Sequence, residues 1–281
     1  NGVVDIVAAD EADATLIARQ LLSYFQGPVS TWEVGPQDAL RELVPEERRW
    51  GYPVRRIIET LADEGSFLEL RRIFGRSIIT GFIRIEGRPV ALIANDCQQM
   101  GGAVDAEASD KAARFLRTCN AFGLPVLSLT DTPGFMVGPA SEEQAAVRRM
   151  SDLFLAGAAM TVPVVAIFLR KGYGLGAMAM TGGSFLRPVY AAAWPTGEFG
   201  GMGLEGAVRL GFSKELEAVT DTAEREALFD RLVREAYEAG KATEAAAHLE
   251  IDAVIDPAQT RTVILRAFAA AGWPSSARAE N

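Results

Sequence analysis

Val162-Pro-Val-Val-Ala-Ile-Phe-Leu-Arg-Lys-Gly-Tyr-Gly-Leu-Gly-Ala-Met-Ala-Met-Thr-Gly-Gly183 reads as a buried strand, a glycine-punctuated turn and the start of a helix. Val162, Val164, Val165, Ile167, Phe168 and Leu169 make a nearly continuous apolar run, the pattern of a strand covered on both faces. Gly172, Gly174 and Gly176 then fall at alternate positions, where the backbone can bend sharply and a ligand can approach it. Ala177 to Met180 are good helix formers. Backbone N–H groups at such a turn have no partner inside the helix and can hold an anion or a developing oxyanion. A turn of this kind serves packing as well as binding, and the glycines alone do not separate the two.

Upstream, Ala14, Leu16, Ile17, Leu21, Leu22 and Phe25 predict a helix over 11–25. Residues 26–51 are rich in Gly, Pro and Glu and read as an exposed linker. A second amphipathic helix is expected over 52–64, and two strands over 76–85 and 88–94 joined at Glu86-Gly87 as a hairpin. Ser109 is expected to cap a helix ending at Phe122, and 125–130 reads as a strand. The loop 131–138 follows, and Ser141-Glu-Glu-Gln144 reads as a capping box opening a helix to about Met160. Downstream, 189–194 and 251–255 read as strands. Helices are expected over 205–210, 214–240, 243–249 and 260–271, ahead of a polar, frayed tail over 275–281. Strands alternating with helices imply an α/β domain, mainly parallel after the first hairpin.

The 281 residues carry a net charge of −9, which argues against a nucleic-acid-binding face. Two cysteines, Cys97 and Cys119, make neither a disulfide framework nor a metal cluster, so a reducing, cytoplasmic setting is expected. No apolar stretch reaches membrane-spanning length.

The side-chain inventory narrows the chemistry. The single histidine, His248, sits in an Ala-rich segment and reads as a surface residue rather than a base. Both cysteines read as packing residues. No Gly-x-Ser-x-Gly, His-Glu-x-x-His or Gly-x-x-x-x-Gly-Lys motif occurs. A dinucleotide fingerprint fails on spacing, because the third glycine of Gly172-x-Gly174-x-Gly176 comes one residue early. Oxyanion stabilisation by two backbone N–H groups, at Leu175 and Gly176, needs none of the missing side chains. The loop Thr132 to Gly138 also ends a strand, and strand ends of parallel sheets face the ligand crevice.

At this point the sequence resembles the carboxyltransferase subunits of biotin-dependent acyl-CoA carboxylases, over their C-terminal half. The resemblance runs from Val3 to Ala271 and rests on segments in matching order. They are Gly2 to Glu11, Gly87 to Asn95, Ala108 to Phe115, Thr130 to Phe135, Leu169 to Gly174, Ala193-Trp-Pro195, Met202 to Val208 and Val254 to Arg261. It implies a crotonase-like (ClpP/crotonase) spiral of β-β-α units. It divides the chain into an N-terminal helix and linker over 1–50, a carboxyltransferase C-terminal domain over 51–274, and the tail. It also implies transfer of a carboxyl group from carboxybiotin to the α-carbon of an acyl-CoA. In that reaction the departing biotin removes the α-proton, so the protein need not supply a strong base.

By the same resemblance, the N–H groups of Leu175 and Gly176 form the biotin-side oxyanion hole. Pro133, Gly134 and Phe135 shape the pocket beside it with Tyr173 and Gly174, and Met178 lies near biotin and the acyl group. Biotin arrives on a carrier domain of a biotin carboxylase or carrier subunit, acyl-CoA is the substrate, and no metal is required. An acyl-CoA-binding N-terminal half or subunit completes the site, in a dimer or ring of dimers. The first residues resemble the middle of the longer family protein, so a fragment is expected. The same site would serve a biotin-dependent decarboxylase or transcarboxylase, and a chain lacking its other half could also be a non-catalytic scaffold. Leu175 stands where the family commonly has glycine, and Met178 where propionyl-CoA enzymes often have an acidic residue.

Overall fold

A computed structural model describes residues 2–273. The expected tail over 275–281 lies outside them. The strands are β1 (Leu68–Leu70), β2 (Ile78–Ile85), β3 (Arg88–Asn95), β4 (Val126–Thr132), β5 (Val164–Tyr173), β6 (Tyr190–Ala193), β7 (Glu198–Gly200) and β8 (Ala253–Val254). The helices are α1 (Glu11–Ser23), α2 (Val54–Leu61), α3 (Ala106–Ala121), α4 (Pro139–Glu142), α5 (Ala146–Ala158) and α6 (Gly174–Met180). They continue with α7 (Leu204–Gly211), α8 (Ser213–Ala218), α9 (Thr222–Ala239), α10 (Ala242–Ala247) and α11 (Thr260–Ala270).

Among the described residues one sheet runs in the order β1-β2-β3-β4-β5-β6-β8, with β7 also paired to β5. The β2–β3 hairpin is antiparallel, and β3, β4, β5, β6 and β8 are parallel. Glu86 and Gly87 both take positive φ, 52° and 74°, as a two-residue hairpin turn requires.

Alternation along the strands builds two cores. Ile79, Ile83 and Ile85 of β2, Leu92 of β3, Leu127 of β4 and Val165, Ile167 and Leu169 of β5 face α2 and α11. Ile78 and Phe82 of β2, Ile93 of β3, Val126 of β4 and Val164 of β5 face α3 and α5. Full burial of each large aliphatic side chain contributes roughly 1.5–3 kcal/mol, so both faces of the sheet hold the fold. This double covering makes the strands read as continuous apolar runs.

The structure corrects several local expectations. The 26–51 segment is not simply an exposed linker: Leu40 is 0% exposed, and with Val44 it packs into the core beside α2. The pair sits on and just after a short 3-10 turn, Gln37–Glu42, whose flanking Gly and Pro residues mask the apolar i, i+4 spacing. Asp105, not Ser109, caps α3, accepting from Ala108 N at 2.7 Å. Ser109 is buried and its hydroxyl donates back to the Asp105 carbonyl. The capping box at Ser141–Gln144 does not open the long helix. Ala145 takes φ 54°, breaking the chain between α4 and α5. The helical stretch over 214–240 divides into α8 and α9, because Asp221 caps α9 by accepting from Glu224 N. β1 and β7 went unseen in the sequence because three residues are too few to show a period.

Candidate active site

The opening stretch forms β5 and α6, with a sharp turn at Gly174 (φ 57°). The bend comes later than the first glycine: Gly172 still pairs with Thr132 of β4. A Cβ on Gly174 would lie 2.6 Å from the Gly201 carbonyl oxygen, so the turn needs both the positive φ and the bare backbone of glycine. Leu175 and Gly176 occupy the first turn of α6, where the N–H groups have no intrahelical partner, and no side chain caps the helix. The Leu175 side chain is 62% exposed, and Gly176 is buried.

The turn meets the loop that ends β4. Gly176 packs on Gly134 and Phe135: a Cβ there would fall 2.7 Å from Gly134 Cα and 2.9 Å from Phe135 N. Gly134 has φ 119°, and its N–H donates to Thr132 Oγ1 at 3.1 Å. Its carbonyl accepts from Val104 N at 3.0 Å, and Phe135 pairs with Val104 as an isolated parallel bridge. Pro133, Phe135 and Met178 are half-buried. Tyr173 is buried, and its phenol donates to Glu198 Oε2 at 2.9 Å. Burial, together with the Glu198 carboxylate, pushes the Tyr173 phenol well above its ordinary range, so it stays a hydrogen-bond donor. The expected site residues thus belong to two neighbouring strand ends, and Gly176, Gly134 and Phe135 are in direct contact.

Beneath this pair lies a buried ionic cluster that sequence reasoning did not single out. Asp131, at the end of β4, accepts from Arg170 Nε and Nη2 at 3.2 and 3.0 Å, from Tyr52 O–H at 2.8 Å and from Lys171 N at 3.1 Å. Lys171 Nζ lies 3.7 Å from the same carboxylate and donates to the Gly101 carbonyl at 2.8 Å. Asp131 N in turn donates to Asn95 Oδ1 at 3.1 Å. Burial, then the Asp131 charge, pushes the Tyr52 phenol far up. These contacts tie β3, β4 and β5 together just before the Gly turn. The available signal was the pair Arg170-Lys171 closing an apolar strand, since charges buried there demand a counter-charge.

Glu198 is buried and paired, with Tyr173 O–H on one oxygen and Arg48 on the other, as a structural residue would be. His248 is exposed and its ring Nδ1 lies 2.9 Å from the Glu244 carbonyl. Cys97 and Cys119 are both buried, and burial pushes both thiols up, away from the reactive thiolate. Among the described residues no group of three or more His, Cys, Asp or Glu side chains could hold a metal ion. No helix among them is long and apolar enough to cross a membrane.

Two glycine-lined backbone turns over a buried ion pair, at the ends of parallel strands, suit acyl or carboxyl chemistry that runs on backbone donors. The comparisons give the family. The model of the carboxyl transferase domain matches residues 1–277, and the chain belongs to that family. The propionyl-CoA carboxylase beta chain of Saccharopolyspora erythraea is 37% identical over 289 residues, covering 95% of this chain and 52% of that one. A solved single-chain, multi-domain long-chain acyl-CoA carboxylase superposes with a TM-score of 0.88 at 57% identity, over 95% of this chain and 26% of that one. Transcarboxylase 12S, a hexamer assembly solved with methylmalonyl-coenzyme A and methylmalonic acid bound, gives a TM-score of 0.86 at 33% identity, over 99% and 54%. The chain spans about half the length of the curated relatives it matches.

Proposed function

We propose that this chain is the biotin-side half of an acyl-CoA carboxyltransferase, residues 51–274 being its C-terminal-half domain. The contact of Gly176 with Gly134 carries the reading: it sets the α6 N–H groups against a loop at the neighbouring strand end, in a chain of the carboxyl transferase family. A crotonase-like spiral of β-β-α units is consistent with the β2–β3 hairpin, α3 and the parallel strands that follow.

Carboxybiotin, when bound, would supply the carboxyl group, and the biotin left after its loss would accept the α-proton of the acyl-CoA. The residues present fit its ureido oxygen, because the first-turn N–H groups of α6 are uncapped by any side chain. In this reading the Leu175 and Gly176 amides hold the negative charge on that oxygen. Pro133, Gly134 and Phe135 form the adjoining wall, Tyr173 and Gly174 fix the turn, and Met178 lines the side toward the acyl group. The ionic cluster at Asp131 holds both strand ends in place. A second half, in the same polypeptide or in a partner, supplies the acyl-CoA site and the other oxyanion hole. A carrier domain brings the biotin, and dimers or rings of dimers bring the two halves together. The relation to transcarboxylase 12S favours a second direction for the same site, between two acyl-CoA species.

Labelled methylmalonyl-CoA or malonyl-CoA incubated with free biotin, with and without an acyl-CoA-binding half, tests the assignment. Biotin-dependent loss of the carboxyl group is expected only when both halves are present. Gly176→Pro deletes one donor and abolishes it. Absence of exchange with any partner, or unchanged turnover in a folded Gly176→Pro variant, overturns the reading.

A further inference from the structure

The segment just before α2 reaches under the Gly turn at three points. Tyr52 O–H donates to Asp131, and its backbone exchanges hydrogen bonds with Cys97 Sγ at 3.3 Å in both directions. The Trp50 carbonyl accepts from Arg170 Nη1 at 2.8 Å. Arg48 Nε pairs with Glu198 Oε1, while Glu198 Oε2 takes the Tyr173 phenol. The guanidinium of Arg48 lies 4.0 Å over the Tyr237 ring, and Tyr237 O–H is fixed by Glu205 at 2.8 Å. An unbroken chain therefore runs from Arg48 through Glu198 to Tyr173, the residue that immediately precedes Gly174.

The turn packs through its backbone and has few side chains of its own to anchor it. Gly174 has no side chain, Gly176 meets only backbone within the close-contact range, and Leu175 points outward. Tyr173 is the first residue back from Gly174 with a buried side-chain anchor, and that anchor is Glu198. Glu198 is only 7% exposed, and its orientation is fixed by its two partners, Tyr173 and Arg48. Without Arg48, one of its oxygens faces no cation. The carboxylate is then free to rotate, and the Tyr173 phenol loses a fixed acceptor.

We propose that Arg48 to Tyr52 form a strap that sets the geometry of the Tyr173–Gly176 turn, with Arg48 as a positioning residue that touches no substrate. The proposal rests on the functional reading above only for its effect on rate; its effect on the turn stands apart from it. It deepens that reading by placing control of the biotin-side donors in a segment distant in sequence.

The test uses this chain together with an acyl-CoA-binding half, in the same polypeptide or as a partner, a biotin carrier, and methylmalonyl-CoA or malonyl-CoA as carboxyl donor. Arg48→Met is expected to lower kcat at least tenfold, with KM for the acyl-CoA within twofold. Arg48→Lys, which keeps the charge, recovers part of the rate. Tyr173→Phe lowers kcat similarly, and the double variant falls no further, because both changes cut one chain. Hydrogen exchange of the segment 172–180 is faster in Arg48→Met than in the wild type. Unchanged kcat, a loss expressed in KM, losses that multiply in the double variant, or unaltered exchange over 172–180 each overturn the strap. If the wild type itself transfers no carboxyl group, the functional reading falls, and the exchange measurement still decides the strap.

Discussion

A Cβ on Gly176 would lie 2.6 Å from the carbonyl carbon of Gly134, so the turn after β5 and the loop after β4 form one interlocked backbone unit. The two glycines come from different strand ends, and only the parallel pairing of β4 with β5 brings them together.

Gly176→Ala therefore has no room. Its methyl meets main-chain atoms rather than a side chain that could step aside, so overpacking costs about 1–3 kcal/mol. Urea denaturation is expected to show a loss in that range, and carboxyl transfer is expected to fall by a factor of about 100, as for removal of an oxyanion donor. Wild-type stability together with wild-type transfer would show that the two turns separate freely.

Asp131→Asn leaves Arg170 buried without its counter-charge. Both side chains are almost completely inaccessible, at 0% and 3% exposure, so the loss is expected near 3–5 kcal/mol. Tyr52→Phe removes one hydrogen bond to the same carboxylate and costs about 1 kcal/mol. Chemical denaturation of the two variants in parallel checks the ranking, which would be wrong if Tyr52→Phe were the more damaging.

Lys111 lies in α3 with its ammonium donating to the carbonyls of Arg71, Phe74 and Ile78 at 3.0, 3.0 and 2.7 Å. Burial pushes its pKa from the ordinary 10.5 down to about 8. Between those values the unfolded chain holds the proton more tightly than the folded one, so this group makes folding more favourable as pH rises through the window. The effect is on the order of 3 kcal/mol when complete. Lys111→Met removes it. A plot of stability against pH from 7.5 to 10.5 is expected to differ in slope between the two proteins, and parallel curves would refute the assignment.

Cys97 and Cys119 are buried, with thiols held protonated by their surroundings. A thiol reagent at neutral pH is expected to leave both untouched in the native protein and to label both after unfolding. Rapid labelling of Cys97 in the native state would mean that the contact between Tyr52 and Cys97 opens readily, and with it the strap.

Much of the scaffold could be read from the residues. The apolar runs at 76–85, 88–94 and 162–169, the hairpin at Glu86-Gly87 and the glycines at 172, 174 and 176 each act through local chemistry: side-chain burial, turn geometry and the absence of a Cβ. The eight matching segments led to the family, which the family model confirms. What escaped was of another kind. Arg48, Tyr52 and Asp131 look like ordinary polar residues of turns and strand ends, and nothing in their neighbours announces a partner. Leu40 was hidden by the Gly and Pro around it, and Ser141-Glu-Glu-Gln144 has the spacing of a cap but not the backbone that follows one.

The sequence by itself determined the longer strands, the glycine-rich turn and the shortage of acid, base and nucleophile, because these depend on residue type and short-range periodicity. Only the tertiary structure decided that the turn at Gly174–Gly176 packs against Gly134–Phe135, and that Asp131, Arg170, Tyr52 and Arg48 hold it from below. Those relationships join residues far apart in the chain. They arise because buried charges must find partners wherever the parallel sheet brings them together.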